Sequence, residues 1–114
     1  MKNLKYTCPW SGEQFDVILC RDTYSVKNRM YLGIYYKDEE FNTYMPYADI
    51  TVNIPDAYIT TKTGAFVDDN NLPNVKEFLM NNRLAKPTTN YAYSGFCCYQ
   101  EWQFDMDRVA EFIS

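Results

Sequence analysis

The four cysteines, Cys8, Cys20, Cys97 and Cys98, are the side chains best suited to covalent or metal chemistry. Structural zinc sites draw thiolates from Cys-x2–4-Cys knuckles, and none occurs here. Cys97 and Cys98 are adjacent, so on a strand they point to opposite faces and do not share an ion. Their default role is that of small, partly buried hydrophobes. Cys8 stands beside the Pro9-Trp10-Ser11-Gly12 turn and is the best candidate for an activated thiol. The chain has no histidine, however, so the usual general base for such a nucleophile is missing. Two carboxylates can run glycoside-bond chemistry unaided. Asp16, Asp49, Asp56 and Glu101 are the acids that one sheet face could gather, although acids on a solvated face are ordinary. Thr60-Thr61-Lys62-Thr63-Gly64 lacks the frame of a phosphate-binding loop. The expectation is therefore a non-enzymatic protein with no cofactor and no metal.

Eleven tyrosines replace reaction chemistry with contact chemistry. A tyrosine combines a rigid apolar face with a polar tip, which suits both strands and recognition surfaces. On Arg29–Tyr36, Tyr31 and Tyr35 share a face with Gly33. Tyr47, Asp49 and Thr51 occupy the outward positions of the next alternating run. If those strands pair, Tyr31, Tyr35, Tyr47 and Asp49 form an aromatic platform with an acidic rim. A second group, Tyr91, Tyr93, Tyr99 and Trp102, flanks Gly95. The expected function is protein binding through such a face. The alternative is a small-molecule or nucleotide module, with tyrosines stacking a base and Lys62 or Arg29 meeting a phosphate. Packing within the sheet competes with both readings for every ring.

The elements that must position these residues read mostly as strands. Extended segments are expected at 5–7, 14–20, 29–36, 47–54 and 96–104, with 65–67 a short edge strand. Tyr47–Ile54 alternates most cleanly: Ala48, Ile50, Val52 and Ile54 inward, their neighbours outward. In the last strand Cys98, Trp102 and Phe104 are expected to be buried. Polar stretches at 21–28, 37–43 and 86–90 read as connections. Pro73 suits a helix start, and the helix runs to about Asn82, burying Val75, Phe78 and Leu79. Asp105 caps a final helix whose stripe is Val109, Phe112 and Ile113. The sum is one α+β domain over 1–114: a mainly antiparallel sheet of about four to six strands, with two short helices packed on one face.

Composition narrows the partners. Fifteen acidic residues against eleven basic give a charge of −4. A broad nucleic-acid face wants clustered cations, so nucleic acid is not expected. No run approaches the ~20 apolar residues of a membrane span, and the start carries no apolar leader, so cytoplasmic residence with reduced thiols is expected. Pairing with a second copy through the aromatic face or an open sheet edge is a further option.

Tyr6-Thr7-Cys8-Pro9-Trp10-Ser11-Gly12-Glu13-Gln14-Phe15-Asp16-Val17 is a distinctive run. Thr51-Val52-Asn53-Ile54-Pro55-Asp56, then Ala65-Phe66-Val67-Asp68-Asp69-Asn70-Asn71-Leu72-Pro73, Leu84-Ala85-Lys86-Pro87-Thr88 and Phe104-Asp105 follow in order. Together these resemble a small single-domain family of unknown function from gut bacteria, often carried on conjugative elements and phages. The likeness runs nearly end to end, but that family has no established catalytic residues to carry over. It implies a cytosolic accessory protein of a mobile element that acts by binding, including against host defence.

Overall fold

A computed structural model describes residues 2–113. Eight strands form two antiparallel sheets. The first is a meander of β1 (Leu4–Thr7), β2 (Gln14–Thr23), β3 (Met30–Asp38) and β4 (Thr43–Asp49), in that order. The second has the order β5-β6-β8-β7 and is built from β5 (Thr51–Val52), β6 (Gly64–Val67), β7 (Ala85–Ser94) and β8 (Cys97–Phe104). Two short helices complete the chain, α1 (Val75–Asn81) and α2 (Met106–Ala110). No helix among the described residues is long and apolar enough to cross a membrane.

The expected single sheet is thus corrected to two, and the helices do not simply cover one face. Val75, Phe78 and Leu79 of α1, with Val109 and Phe112 from α2 and its tail, enter one core. That core is shared with Leu19, Leu32 and Ile34 from the first sheet and Val67, Trp102 and Phe104 from the second. Removing such side chains from water contributes roughly 1.5–3 kcal/mol each, which is what binds the layers together. The buried side of α1 follows the 3.6-residue spacing of its apolar positions. Asp105 caps α2 as expected, its carboxylate accepting from the Arg108 N–H at 3.1 Å.

The expected strand over 47–54 is two strands in different sheets. Ile50 sits at a bend, donating its N–H to Leu32 O (2.9 Å) and accepting from Asp68 N–H (2.8 Å). It therefore bridges β3 to the second sheet. Thr51, expected outward, is buried because its hydroxyl oxygen accepts the Leu32 N–H at 3.1 Å. Val52 and Ile54 leave the main core and join a smaller cluster with Phe66 and Tyr99.

Three further boundaries move. β2 continues through Thr23 into the expected connection. β6 lies between β5 and β8, so it is not an edge. The polar stretch 86–90 belongs to β7, which is itself the edge of the second sheet. An edge strand tolerates Pro87, and a bulge between Pro87 and Tyr91 takes up the irregular pairing.

Candidate functional site

On the first sheet, Tyr31 and Tyr35 share the outer face of β3, as their spacing requires. Tyr31 does not stand free: its hydroxyl donates to Asp49 Oδ1 at 2.7 Å, and its ring meets Tyr24 edge-on at 5.7 Å. The phenol folds over Gly33, where a Cβ would lie 2.2 Å from the hydroxyl oxygen. The gap that Gly33 opens is filled by Tyr31 itself. Burial pushes the Tyr31 phenol up, and the hydrogen bond to Asp49 and that carboxylate's charge add to the effect. Tyr24 in turn donates to the Thr51 carbonyl at 3.2 Å.

Tyr47 parts from this pair. The β3–β4 register runs Ile34↔Ala48 and then Tyr35↔Pro46, so Tyr47 falls in a bulge. Its ring turns to the core side and packs against Phe15 (5.2 Å), Tyr6 (5.4 Å) and Tyr36 (6.5 Å). Burial, followed by the Cys8 contact, pushes its phenol up to about 12. The structure thus brings Tyr31, Tyr35 and Asp49 together and leaves Tyr47 out.

The second aromatic group also divides. Tyr99 is buried beside Ile54 and Phe66, and Trp102 lies in the main core. Cys98, expected to be buried, is exposed. Tyr93 is 76% exposed, Tyr91 57% and Phe96, at the tip, fully so. Tyr91 pairs with Gln100 and Tyr93 with Cys98, so both rings stand on one face of the β7–β8 hairpin. This is the face that covers the core at Trp102 and Phe104, continued beyond the core's edge. Gly95 takes a left-handed φ of +62° in the turn, and nothing lies within 4 Å of where its Cβ would be. From Pro87 to Gln100 there are fourteen residues without a charge, the longest such run in the chain.

What holds this hairpin was not apparent from spacing. Glu101, read as an outward acid, is fully buried at the hairpin's base. Its oxygens accept from Thr60 N–H (2.9 Å) and hydroxyl (2.8 Å), and from Thr61 N–H (3.0 Å) and hydroxyl (2.7 Å). Asn90 Nδ2 adds a fifth bond at 2.9 Å and also donates to Tyr58 O at 2.8 Å. Burial is the largest single influence and raises the carboxyl's pKa. The Thr61, Thr60 and Asn90 bonds together outweigh it and hold the group below its ordinary value. Gly64 is required here, since a Cβ would sit 2.1 Å from Glu101 Oε2. The signal in the sequence is the set Thr60-Thr61, Gly64, Asn90 and Glu101, legible only once β6 and β7 are known to flank β8.

The candidate chemistries find separate settings. The Ser11 hydroxyl leads the donors around the Cys8 sulfur, followed by the N–H groups of Ser11 and Trp10 and the Tyr47 hydroxyl, and the thiol falls to about 7. All four cysteines are free thiols. Asp16 pairs with Lys5 at 2.6 Å, Asp49 accepts from Tyr31, and Glu101 is enclosed, so these acids do not form a working pair. Among the described residues no cluster of three Cys, Asp or Glu could hold a metal ion. A cleft of about 320 Å³ gathers Arg21, Arg29 and Lys62, but the Arg29 guanidinium is spent on the carbonyls of Ile54 and Ala57.

No curated protein and no solved structure matches the chain. A domain of unknown function (DUF4313) matches residues 19–114, from the middle of β2 to the end, leaving β1 and the Cys8 turn outside the matched span. That match covers most of the chain, which belongs to the DUF4313 family.

Proposed function

We propose that this protein is a non-enzymatic binding protein that inserts the tip of its β7–β8 hairpin into an apolar recess of a partner protein. The observation that carries this reading is the exposure of Phe96, Tyr93 and Tyr91 on one uncharged hairpin. Aromatic side chains of this kind bury 150–250 Å² each and dominate interface energetics. A hairpin held at its root by Glu101 loses little freedom on docking, which favours affinity. With no charge between Pro87 and Gln100, the tip seeks an apolar, uncharged recess rather than a charged surface. The outer face of Tyr31, Tyr35 and Asp49 is a weaker candidate, because Tyr31 and Asp49 already satisfy each other. The setting we propose is that of a cytoplasmic accessory protein of a mobile element, including an anti-defence role. That setting rests on the sequence resemblance.

The test is affinity capture from the host cell with the native chain and with a Tyr93→Ala, Phe96→Ala variant, followed by mass spectrometry. The reading expects a protein retained by the native chain and lost with the variant, while melting shifts by less than about 3 °C. Equal retention by both, or no protein retained by either, overturns it.

A further inference from the structure

A separate cleft of about 490 Å³ opens where the end of α1 meets the start of β7, lined by Met80, Arg83, Lys86, Pro87, Phe104 and Asp105. The backbone at its rim closes α1 through a left-handed residue with a long side chain. Leu84 N–H donates to Leu79 O (2.9 Å) and Arg83 N–H to Met80 O (3.1 Å), the pair of bonds that closes a helix through one left-handed residue. That residue is Arg83, with φ +55°. Glycine takes this conformation freely, whereas any side chain with a Cβ is strained in it. The helix stop itself does not call for arginine at this position, and Arg83 lines the cleft.

Both cations of the cleft are uncommitted. Like Arg21, Lys27, Arg29, Lys37 and Lys62, and unlike the ion-paired Lys2, Lys5, Lys76 and Arg108, Arg83 and Lys86 make no ion pair among the described residues. Asp105, the acid on the rim, is engaged in capping α2. Two cations thus face a cleft whose apolar walls are Met80, Ala85, Pro87 and Phe104, with Gln103 and the capping Asp105 completing the lining. The volume lies in the ordinary range of small-molecule sites. The Arg21–Lys62 cleft also has two uncommitted cations but is smaller, about 320 Å³, and its third cation is consumed by backbone carbonyls.

We infer that this cleft binds a small organic anion, a carboxylate or phosphate monoester on an apolar body. The anionic group lies between Arg83 and Lys86, and the body rests on Met80 and Pro87. This site is independent of the hairpin tip and of the partner proposed for it.

The test titrates the full chain with phenyl phosphate, 3-phenylpropanoate, inorganic phosphate and benzyl alcohol, following backbone amide shifts by NMR. The two amphipathic anions are expected to move the amides of Met80, Arg83, Lys86 and Phe104 saturably, and to bind about tenfold tighter than phosphate or benzyl alcohol alone. The tighter of the two tells phosphate from carboxylate. Arg83→Gly should weaken binding at least about fivefold with the melting temperature unchanged or raised, and Arg83→Lys should restore most of the affinity. Absence of saturable shifts, shifts that map to Arg21 and Lys62, or full affinity in Arg83→Gly each overturn the inference. A marked drop in melting temperature in Arg83→Gly also overturns it, because the arginine would then be serving the fold.

Discussion

Tyr31 and Tyr93 begin from the same local sequence logic: each lies on a strand two residues before a glycine. They end in opposite states. Gly33 lies inside β3 opposite Asp49, and its missing Cβ lets the Tyr31 ring fold down and reach that carboxylate. Gly95 forms a turn with φ +62°, in open space, and nothing draws Tyr93 toward the body. One tyrosine is part of the sheet's own bonding, and the other is left for something outside it. The difference lies in what the neighbouring strand offers: a carboxylate acceptor on β4 beside Tyr31, and on β8 the short Cys98 beside Tyr93 and, beside Tyr91, Gln100, whose amide is engaged with Trp102 and Thr88.

The hairpin can leave its rings outside only if something else holds it, and Glu101 is the point at which to break that arrangement. Glu101→Ala strands the N–H groups of Thr60 and Thr61 and the amide of Asn90. Leaving this part-buried set unsatisfied should cost about 3 kcal/mol, read as a fall in the urea midpoint. Glu101→Gln keeps the volume but sets an NH₂ against donors, and should cost about 2 kcal/mol. The pH dependence carries the matching sign. Because the folded carboxyl lies below its ordinary value of 4.5, its stabilisation is complete above that value and drains away as pH falls through the folded pKa. The Glu101→Gln variant should lose this part of the acid limb. A flat acid limb in the native chain would mean that the hairpin is held by its strand pairing alone.

A smaller effect compares the two tyrosines directly. Tyr31→Phe removes the 2.7 Å bond to Asp49 while keeping the ring against Tyr24, and should cost about 1 kcal/mol in chemical denaturation. Tyr93→Phe should change stability by less than about 0.5 kcal/mol, since the ring is 76% exposed and its hydroxyl makes no bond among the described residues. Equal costs at the two positions would dissolve the distinction between them.

The parts of this arrangement legible in the sequence are those set by local rules. The spacing of Val75, Phe78 and Leu79 marks the buried side of α1, and the Asp105 cap marks the start of α2, because helix signals lie within one turn. The alternation of Tyr31, Gly33 and Tyr35 likewise puts three residues on one face. What was not legible depends on partners far along the chain. The pattern Ala48, Ile50, Val52, Ile54 stays regular while the strand changes sheet at Ile50, since alternation reports faces and says nothing of neighbours. Tyr47 turns inward through a bulge that only the pairing with β3 reveals. Lys86–Asn90 reads as a loop because an edge strand admits the proline and polar residues that an inner strand would reject. Glu101 reads as a solvated acid because its five donors come from Thr60, Thr61 and Asn90, the threonines forty residues upstream.

The same contrast recurs at the two glycine turns, and here the expected effect on stability is the smallest. Both Gly12 (φ +73°) and Gly95 (φ +62°) close a hairpin in the left-handed region. The Gly95 turn carries Phe96 outward. The Gly12 turn folds inward on itself: Gly12 N–H donates to Cys8 O and Cys8 N–H to Glu13 O, both at 2.9 Å, and the Ser11 hydroxyl and nearby N–H groups face the sulfur. The thiol at about 7, rather than the usual 9.0, follows from those donors. Alkylation of Cys8 by iodoacetamide, followed by peptide mapping, should therefore reach half its limiting rate near pH 7. Ser11→Ala removes the leading donor and should move that midpoint upward. Because the folded thiol is the stronger acid, its contribution to stability is complete above the unfolded value and fades as pH falls through about 7. The sulfur is near solvent, so the midpoint of alkylation should move while melting hardly does. A Cys8 midpoint near 9 in the native chain would show that the turn orders the backbone without tuning the thiol, leaving Gly12 and Gly95 equivalent in everything but the ring that one of them displays.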